Sequence, residues 1–167
     1  MNTIERLKEE AAKRGLIDIS VKPPTDPIEY ITKYLGLSIT PQQEEVVLSL
    51  MRYKRVLVQA GHATGKDFIA SALALWHYDT FKPGRTLIFA PSSNQIKDVF
   101  FAEVRKKYKG KDIYPIAPRI QDSADHYMVG VSARDDSAAQ GRHDKNIFLL
   151  FDEACGIDDC FWEAGES

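Results

Sequence analysis

The sequence predicts an α/β fold in which a mostly parallel sheet is flanked by helices, and two observations carry that expectation. Residues 86–90 and 147–151 are unbroken apolar runs with β-branched and aromatic side chains, the pattern of strands covered on both faces. Such runs alternate with stretches of helical periodicity, which is how βαβ units read in a sequence.

In chain order, residues 2–14 place Ile4, Leu7, Ala11 and Ala12 at helical spacing, with Thr3 as a cap and Gly15 as the stop. Residues 21–27 hold three prolines and read as a linker. Asp26-Pro27 opens a second, short helix with Ile28, Ile31, Tyr34 and Leu35 on one face. Thr40-Pro41 opens a third, reaching about residue 53. A helical N-terminal segment, residues 1–38, thus precedes a main domain at residues 39–167. That domain is expected to begin with a strand at 55–59, a loop of small residues and an apolar helix at 68–76. A strand at 86–90 leads into a helix at 94–108, and further strands follow at 127–131 and 147–151.

The composition narrows the function classes. With 167 residues the chain can bury a real core, and 44% hydrophobic content is ordinary for a globular protein. A formal charge of -2 gives no global attraction to nucleic acid, so such a partner needs a local patch. The two cysteines, Cys155 and Cys160, make neither a disulfide framework nor a metal-ligand pattern, and read as reduced, buried or half-buried thiols. The charged N-terminus lacks a signal peptide's apolar stretch, and no run approaches the ~20 apolar residues that span a bilayer.

The loop after the first expected strand reads Ala60-Gly61-His62-Ala63-Thr64-Gly65-Lys66-Asp67. It is a phosphate-binding P-loop pattern with Ala60 at the first glycine position and Asp67 where a Ser or Thr is usual. Small residues let backbone N–H groups turn inward around phosphate oxygens, and the following helix aims its positive end at them. Lys66 places an ammonium between the β- and γ-phosphates of ATP. Asp67 either joins a Mg²⁺ shell, since that ion prefers hard oxygens, or caps the helix. The strand at 147–151 delivers two consecutive acids, Asp152 and Glu153, to its tip. In P-loop ATPases the first acid holds Mg²⁺ and the second polarises the attacking water. Alternation along the strand points the two side chains differently.

At this point the chain resembles the large subunit of tailed-bacteriophage terminases, the DNA-packaging motor. The resemblance rests on Thr40-Pro41-Gln42-Gln43, on Gly61-His62-Ala63-Thr64-Gly65-Lys66, and on residues 86–91 with Gln95 and Glu103. It rests also on Gln140-Gly141-Arg142-His143 followed by Asp152-Glu153-Ala154-Cys155-Gly156 and Trp162-Glu163. It implies a RecA-like P-loop NTPase of the additional-strand, catalytic-glutamate class, coupling ATP hydrolysis to movement of duplex DNA into a procapsid. In that reading Gln43 meets the adenine edge, Lys66 the phosphates, Asp152 the metal and Glu153 the water. The implied partners are duplex DNA, a small terminase subunit, a portal protein and further copies in a ring, in the cytoplasm of a bacterial host and with no membrane. The chain departs from the family pattern at Gln59, where an arginine is common, and at Asp67. It also ends soon after the acidic strand, so the expected fold is incomplete at its C-terminal side, without the nuclease the family implies.

Weaker candidates accompany these. Arg142, in a polar loop before the acidic strand, is a candidate transition-state arginine or a solvated one. Residues 105–111 form a basic run with an aromatic inside, suited to DNA phosphates or simply to a helix C-terminus. His62 either bonds phosphate or fills the loop. Tyr30 and Tyr34 read as packing more than adenine stacking. Two other functions stay open: a helicase-like nucleic-acid-stimulated ATPase, and a nucleotide-binding assembly module that does not hydrolyse.

Overall fold

The computed structural model describes residues 22–61, 64–108, 118–132 and 146–157. The expected helix at 2–14 lies outside them, as do Cys160, Trp162 and Glu163. The described part is an α/β structure with a mixed sheet of four strands: β1 (Arg85–Ala90), β2 (Arg119–Ser123), β3 (His126–Ser132) and β4 (Ile147–Phe151), in the order β2-β3-β1-β4. β1 runs parallel to both neighbours, pairing Leu87 with Val129 on one side and with Leu149 on the other. β2 is an added element: it turns at Ala124-Asp125 and pairs antiparallel with β3. Its run Arg119-Ile-Gln-Asp-Ser carries one buried apolar residue, Ile120, which is too weak a pattern to mark a strand in sequence.

The helices are α1 (Pro27–Glu29, continuing as a π-helical turn Tyr30–Tyr34), α2 (Pro41–Arg52), α3 (Lys66–Thr80) and α4 (Phe101–Lys107, continuing from the π-helical stretch Gln95–Phe100). Asp26 caps α1, accepting from the Glu29 N–H at 2.8 Å. Thr40 and Gln43 form a reciprocal capping box at the start of α2. The Thr-Pro-Gln-Gln spelling therefore sets a helix start. α1 is clamped onto α3 by Tyr30, whose hydroxyl donates to Asp79 at 2.5 Å, while the Trp76 indole donates to the Thr25 carbonyl at 3.0 Å. Tyr30 is fully buried and stacks on Tyr34, so the tyrosine pair is packing, as the sequence reading favoured.

Strand alternation sorts the core into two clusters. Ile88, Ala90 and Met128 face α3, with Phe148 and Leu150 packed against the same cluster. Leu87, Phe89 and Val131 face the other way, joined by Leu149, Phe151 and Ile157. Each fully buried large side chain contributes about 1.5–3 kcal/mol. α3 supplies a continuous buried stretch from Ser71 to Tyr78, which makes it the main support of the sheet. Gly130 lets the Gln95–Lys107 helix approach closely, since a Cβ there would sit 2.1 Å from the Ile96 side chain.

The expected strand at 55–59 does not form. The segment joins no ladder, Leu57 is 86% exposed and Val58 is 45% exposed. Apolar β-branched residues favour a pleated surface only where a neighbouring strand provides one. The described sheet ends at β4, and this run joins no ladder of it.

His77 is buried in α3, hydrogen-bonded to Thr86 at 2.8 Å and stacked on Phe81. Burial, reinforced by His126, lowers its pKa from 6.5 to about 4. Between those values the unfolded chain binds the extra proton, so folding stability falls as pH drops from about 6.5 towards 4. His77→Gln is expected to flatten that loss, which is about 2 kcal/mol by pH 5, in denaturant unfolding compared at pH 7.5 and pH 5. An unchanged pH dependence counts against a neutral buried histidine.

Candidate active site

The site lies where the C-terminal end of β4 meets the N-terminal end of α3. The two helix starts on either side of it differ in one respect. α2 has its capping box, whereas α3 begins at Gly65 with no side chain bonded to its first-turn N–H groups. Those amides are the donors a helix normally leaves for a cap, water or an anion. Gly65 holds φ +79°, a left-handed conformation that glycine adopts without strain. A Cβ there would also meet the Gln43 amide at 2.6 Å. The rest of the described loop is tightened by the Thr64 hydroxyl, which donates to the Gly61 carbonyl at 2.9 Å. Ala60 and Gly61 are exposed. His62, Ala63 and Arg142 lie outside the described residues.

Lys66 extends between the two acids of the β4 tip. Its Nζ lies 3.7 Å from Asp152 Oδ1 and 3.7 Å from Glu153 Oε1. The sequence had separated these carboxylates by strand alternation, and the structure brings them back together. Asp152 continues the face of Phe148 and Leu150, toward α3, and is buried at 8% exposure. Glu153 should face the opposite side, but its backbone turns left-handed, with φ 51° and ψ 51°. That turn re-aims its exposed side chain at Lys66. A non-glycine residue in this region costs about 1–2 kcal/mol, and such strain concentrates at functional sites.

Asp67 is half-buried at the same helix start. Desolvation raises its pKa, and the charges of Asp152 and Glu153 add to the rise against the opposing pull of Lys66. Asp67 therefore shares the field of both β4 acids. Among the described residues no group of three or more His, Cys, Asp or Glu is arranged as a metal-binding cluster. The oxygens of Asp152 and Asp67 match the hard-donor chemistry of Mg²⁺, an ion that typically takes one or two carboxylates and fills its shell with phosphate and water.

Both ends of the Gln43 amide are engaged. Its Oε1 accepts from the Thr40 N–H at 3.0 Å, and its Nε2 donates to the Gly65 carbonyl at 3.3 Å. Its amide thus joins the α2 cap to the phosphate loop. The capping-box spacing was legible; the loop contact was not. Sequence reading also missed the bond from Gln95 Nε2 to Asp152 Oδ2 at 3.1 Å, for which no local signal exists.

The basic run is partly internal. Lys107 is buried, donates to Glu103 Oε2 at 2.7 Å and lies over the Phe68 ring. Arg105 donates to the Lys97 carbonyl at 2.9 Å, and Lys106 also pairs with Glu103. These lysines stabilise α4 and its seat on α3; residues 109–111 lie outside the described residues. Cys155, expected buried or half-buried, is exposed and free, because the 3-10 turn Ala154–Gly156 carries it outward. Among the described residues no helix is long and apolar enough to cross a membrane.

Comparison with known proteins finds no matching family model, no matching curated protein and no matching solved structure. The class defined by the coordinates is thus an α/β chain with a four-stranded mixed sheet and an acid–lysine–acid site at the strand ends.

A carboxyl group whose pKa is raised on folding favours the folded state at low pH and opposes it once ionised. Asp67→Asn is accordingly expected to raise the melting temperature of the ligand-free protein at pH 7.5, with the gain shrinking towards pH 4. Equal gains at both pH values would remove Asp67 from the shared field of Asp152 and Glu153.

Proposed function

We propose that this chain is the ATPase motor region of a DNA-packaging terminase large subunit, with a RecA-like P-loop fold, coupling ATP hydrolysis to duplex DNA translocation. The observation that carries the nucleotide part is Lys66 poised 3.7 Å from both Asp152 and Glu153 beside an uncapped helix start. The DNA-packaging part rests on the sequence resemblance, as do a small subunit, a portal protein and a homo-oligomeric ring as partners.

Each residue then has a task. The first-turn amides of α3 and the Lys66 ammonium bind the β- and γ-phosphates of ATP. Lys66 exchanges its two carboxylate neighbours for phosphate oxygens, which leaves Asp152 and Asp67 to hold Mg²⁺. The chemistry Mg²⁺ would supply on those two carboxylates is positive charge against the charge that develops on the phosphoryl oxygens. Glu153, exposed and strained towards the loop, orients the attacking water and accepts its proton. Gln43 ties the start of α2 to Gly65, and the sequence resemblance gives it the adenine edge. Arg142 is assigned to the transition state in a neighbouring subunit.

One observation favours the non-hydrolysing assembly module as a second reading. The run at 55–59 is outside the described sheet and largely exposed, and an exposed apolar run is a feature of interaction surfaces. ATP turnover that rises with duplex DNA supports the motor; nucleotide binding without turnover supports the module.

Lys66→Ala is expected to weaken ATP binding by roughly ten- to a hundred-fold, the worth of a charge-assisted contact, in calorimetric titration. Unchanged affinity would remove the phosphate-loop assignment. Glu153→Gln should bind ATP and Mg²⁺ as the wild type does and release no phosphate in a steady-state assay. A normal rate in that variant assigns the water-orienting role elsewhere.

A further inference from the structure

Gln95 sits at the start of the helix that follows β1, on the far side of Asp152 from Lys66. Its backbone is set by Ser92, whose hydroxyl accepts the Gln95 N–H at 3.2 Å and whose carbonyl accepts the Ile96 N–H at 3.2 Å. From there its amide crosses 57 positions of sequence to donate to Asp152 Oδ2 at 3.1 Å. The helix is π-wound from Gln95 to Phe100, a rare geometry that often marks functional positions. Asp152 is held by its backbone as well, its N–H donating to the Phe89 carbonyl at 2.8 Å.

We propose that Gln95 is a positioning residue for the metal-holding carboxylate, an inference that rests on the nucleotide reading above. The two oxygens of Asp152 have different neighbours: Oδ2 takes the Gln95 amide, and Oδ1 faces Lys66. A carboxylate on a freely rotating side chain offers either oxygen in many directions. The amide donor consumes one oxygen and fixes the plane of the group, so that Oδ1 alone points at the site. The lone pairs left on Oδ1 are those a cation can use once Lys66 moves to phosphate. Gln95 has no contact with Lys66, Asp67 or Glu153 among the described hydrogen bonds and ion pairs, so its effect on the site passes through Asp152. Groups that hold a metal ligand in place in this way typically contribute ten- to a hundred-fold to metal affinity or activity.

The experiment titrates Mg²⁺ against binding of a fluorescent N-methylanthraniloyl ATP to the full chain, for wild type, Gln95→Met, Gln95→Asn and Lys66→Ala. Met keeps the length and apolar stem but donates nothing; Asn keeps the amide but withdraws it by one methylene. Both Gln95 variants are expected to need about tenfold more Mg²⁺ for the same effect, while affinity in chelator stays within about twofold of wild type, well below the tenfold that a lost charge-assisted contact gives. Melting temperatures measured alongside identify any loss of folding. Wild-type Mg²⁺ dependence in both variants overturns the positioning role and leaves the nucleotide reading intact. A loss of equal size with Mg²⁺ and with chelator also overturns it, since it marks a contact with nucleotide or a general structural role. If the wild type fails to bind the nucleotide, or Lys66→Ala binds it as well, the nucleotide reading falls and this inference falls with it.

Discussion

The burial of helix α3 against the parallel strands is the constraint on which the rest of the molecule depends. Its buried stretch, Ser71 to Tyr78, packs where Ile88, Met128, Phe148 and Leu150 present one face of the sheet. Parallel strands need such a cover, because both of their faces are removed from water. Once α3 is seated, its N-terminal end can lie in only one place: beside the tip of β4. That packing brings the phosphate loop, Lys66 and Asp67 to Asp152, where Lys66 pairs with the carboxylate at 3.7 Å.

Charge is the second constraint. Asp152 and Glu153 both lie 3.7 Å from the Lys66 ammonium, and Asp67 feels the charge of all three. The helix start favours negative charge, and Asp67 shows what its placement costs in a raised pKa, first through desolvation and then through the charges of Asp152 and Glu153. Such a balance is a poor way to stabilise a fold and a reasonable way to attract a divalent cation. The left-handed Glu153 belongs to the same account. Its strain is tolerated because the preceding strand is locked to β1 in register through Phe89 and Phe151.

Much of the fold was legible in sequence because it depends on local order. The run Ile147–Phe151 could be marked as a strand from composition, and Thr40-Pro41 as a helix start from its cap and the proline. Asp26-Pro27 worked in the same way. The errors came where an element needs a distant neighbour. Residues 55–59 have every local property of a strand and no partner in the described sheet. Arg119–Ser123 has almost none of those properties and is a strand, because β3 offers it an edge. In the basic run at 105–111, read as suited to DNA phosphates or to a helix C-terminus, only the structure shows that Lys107 turns inward to Glu103 and Phe68.

By itself the sequence determined which chemical groups the site contains: a small-residue loop ending in Lys66 and Asp67, and two acids after an apolar strand. Residue types and their short spacings are enough for that, since a strand tip and a helix start are local events. Only the tertiary structure decided how those groups face one another. It placed both acids on one lysine, tied Gln43 to Gly65, and set Gln95 behind Asp152. Those contacts join segments 22 and 57 positions apart in the two hydrogen bonds, so they follow from the burial of α3 and the register of the sheet, which no short stretch of sequence encodes.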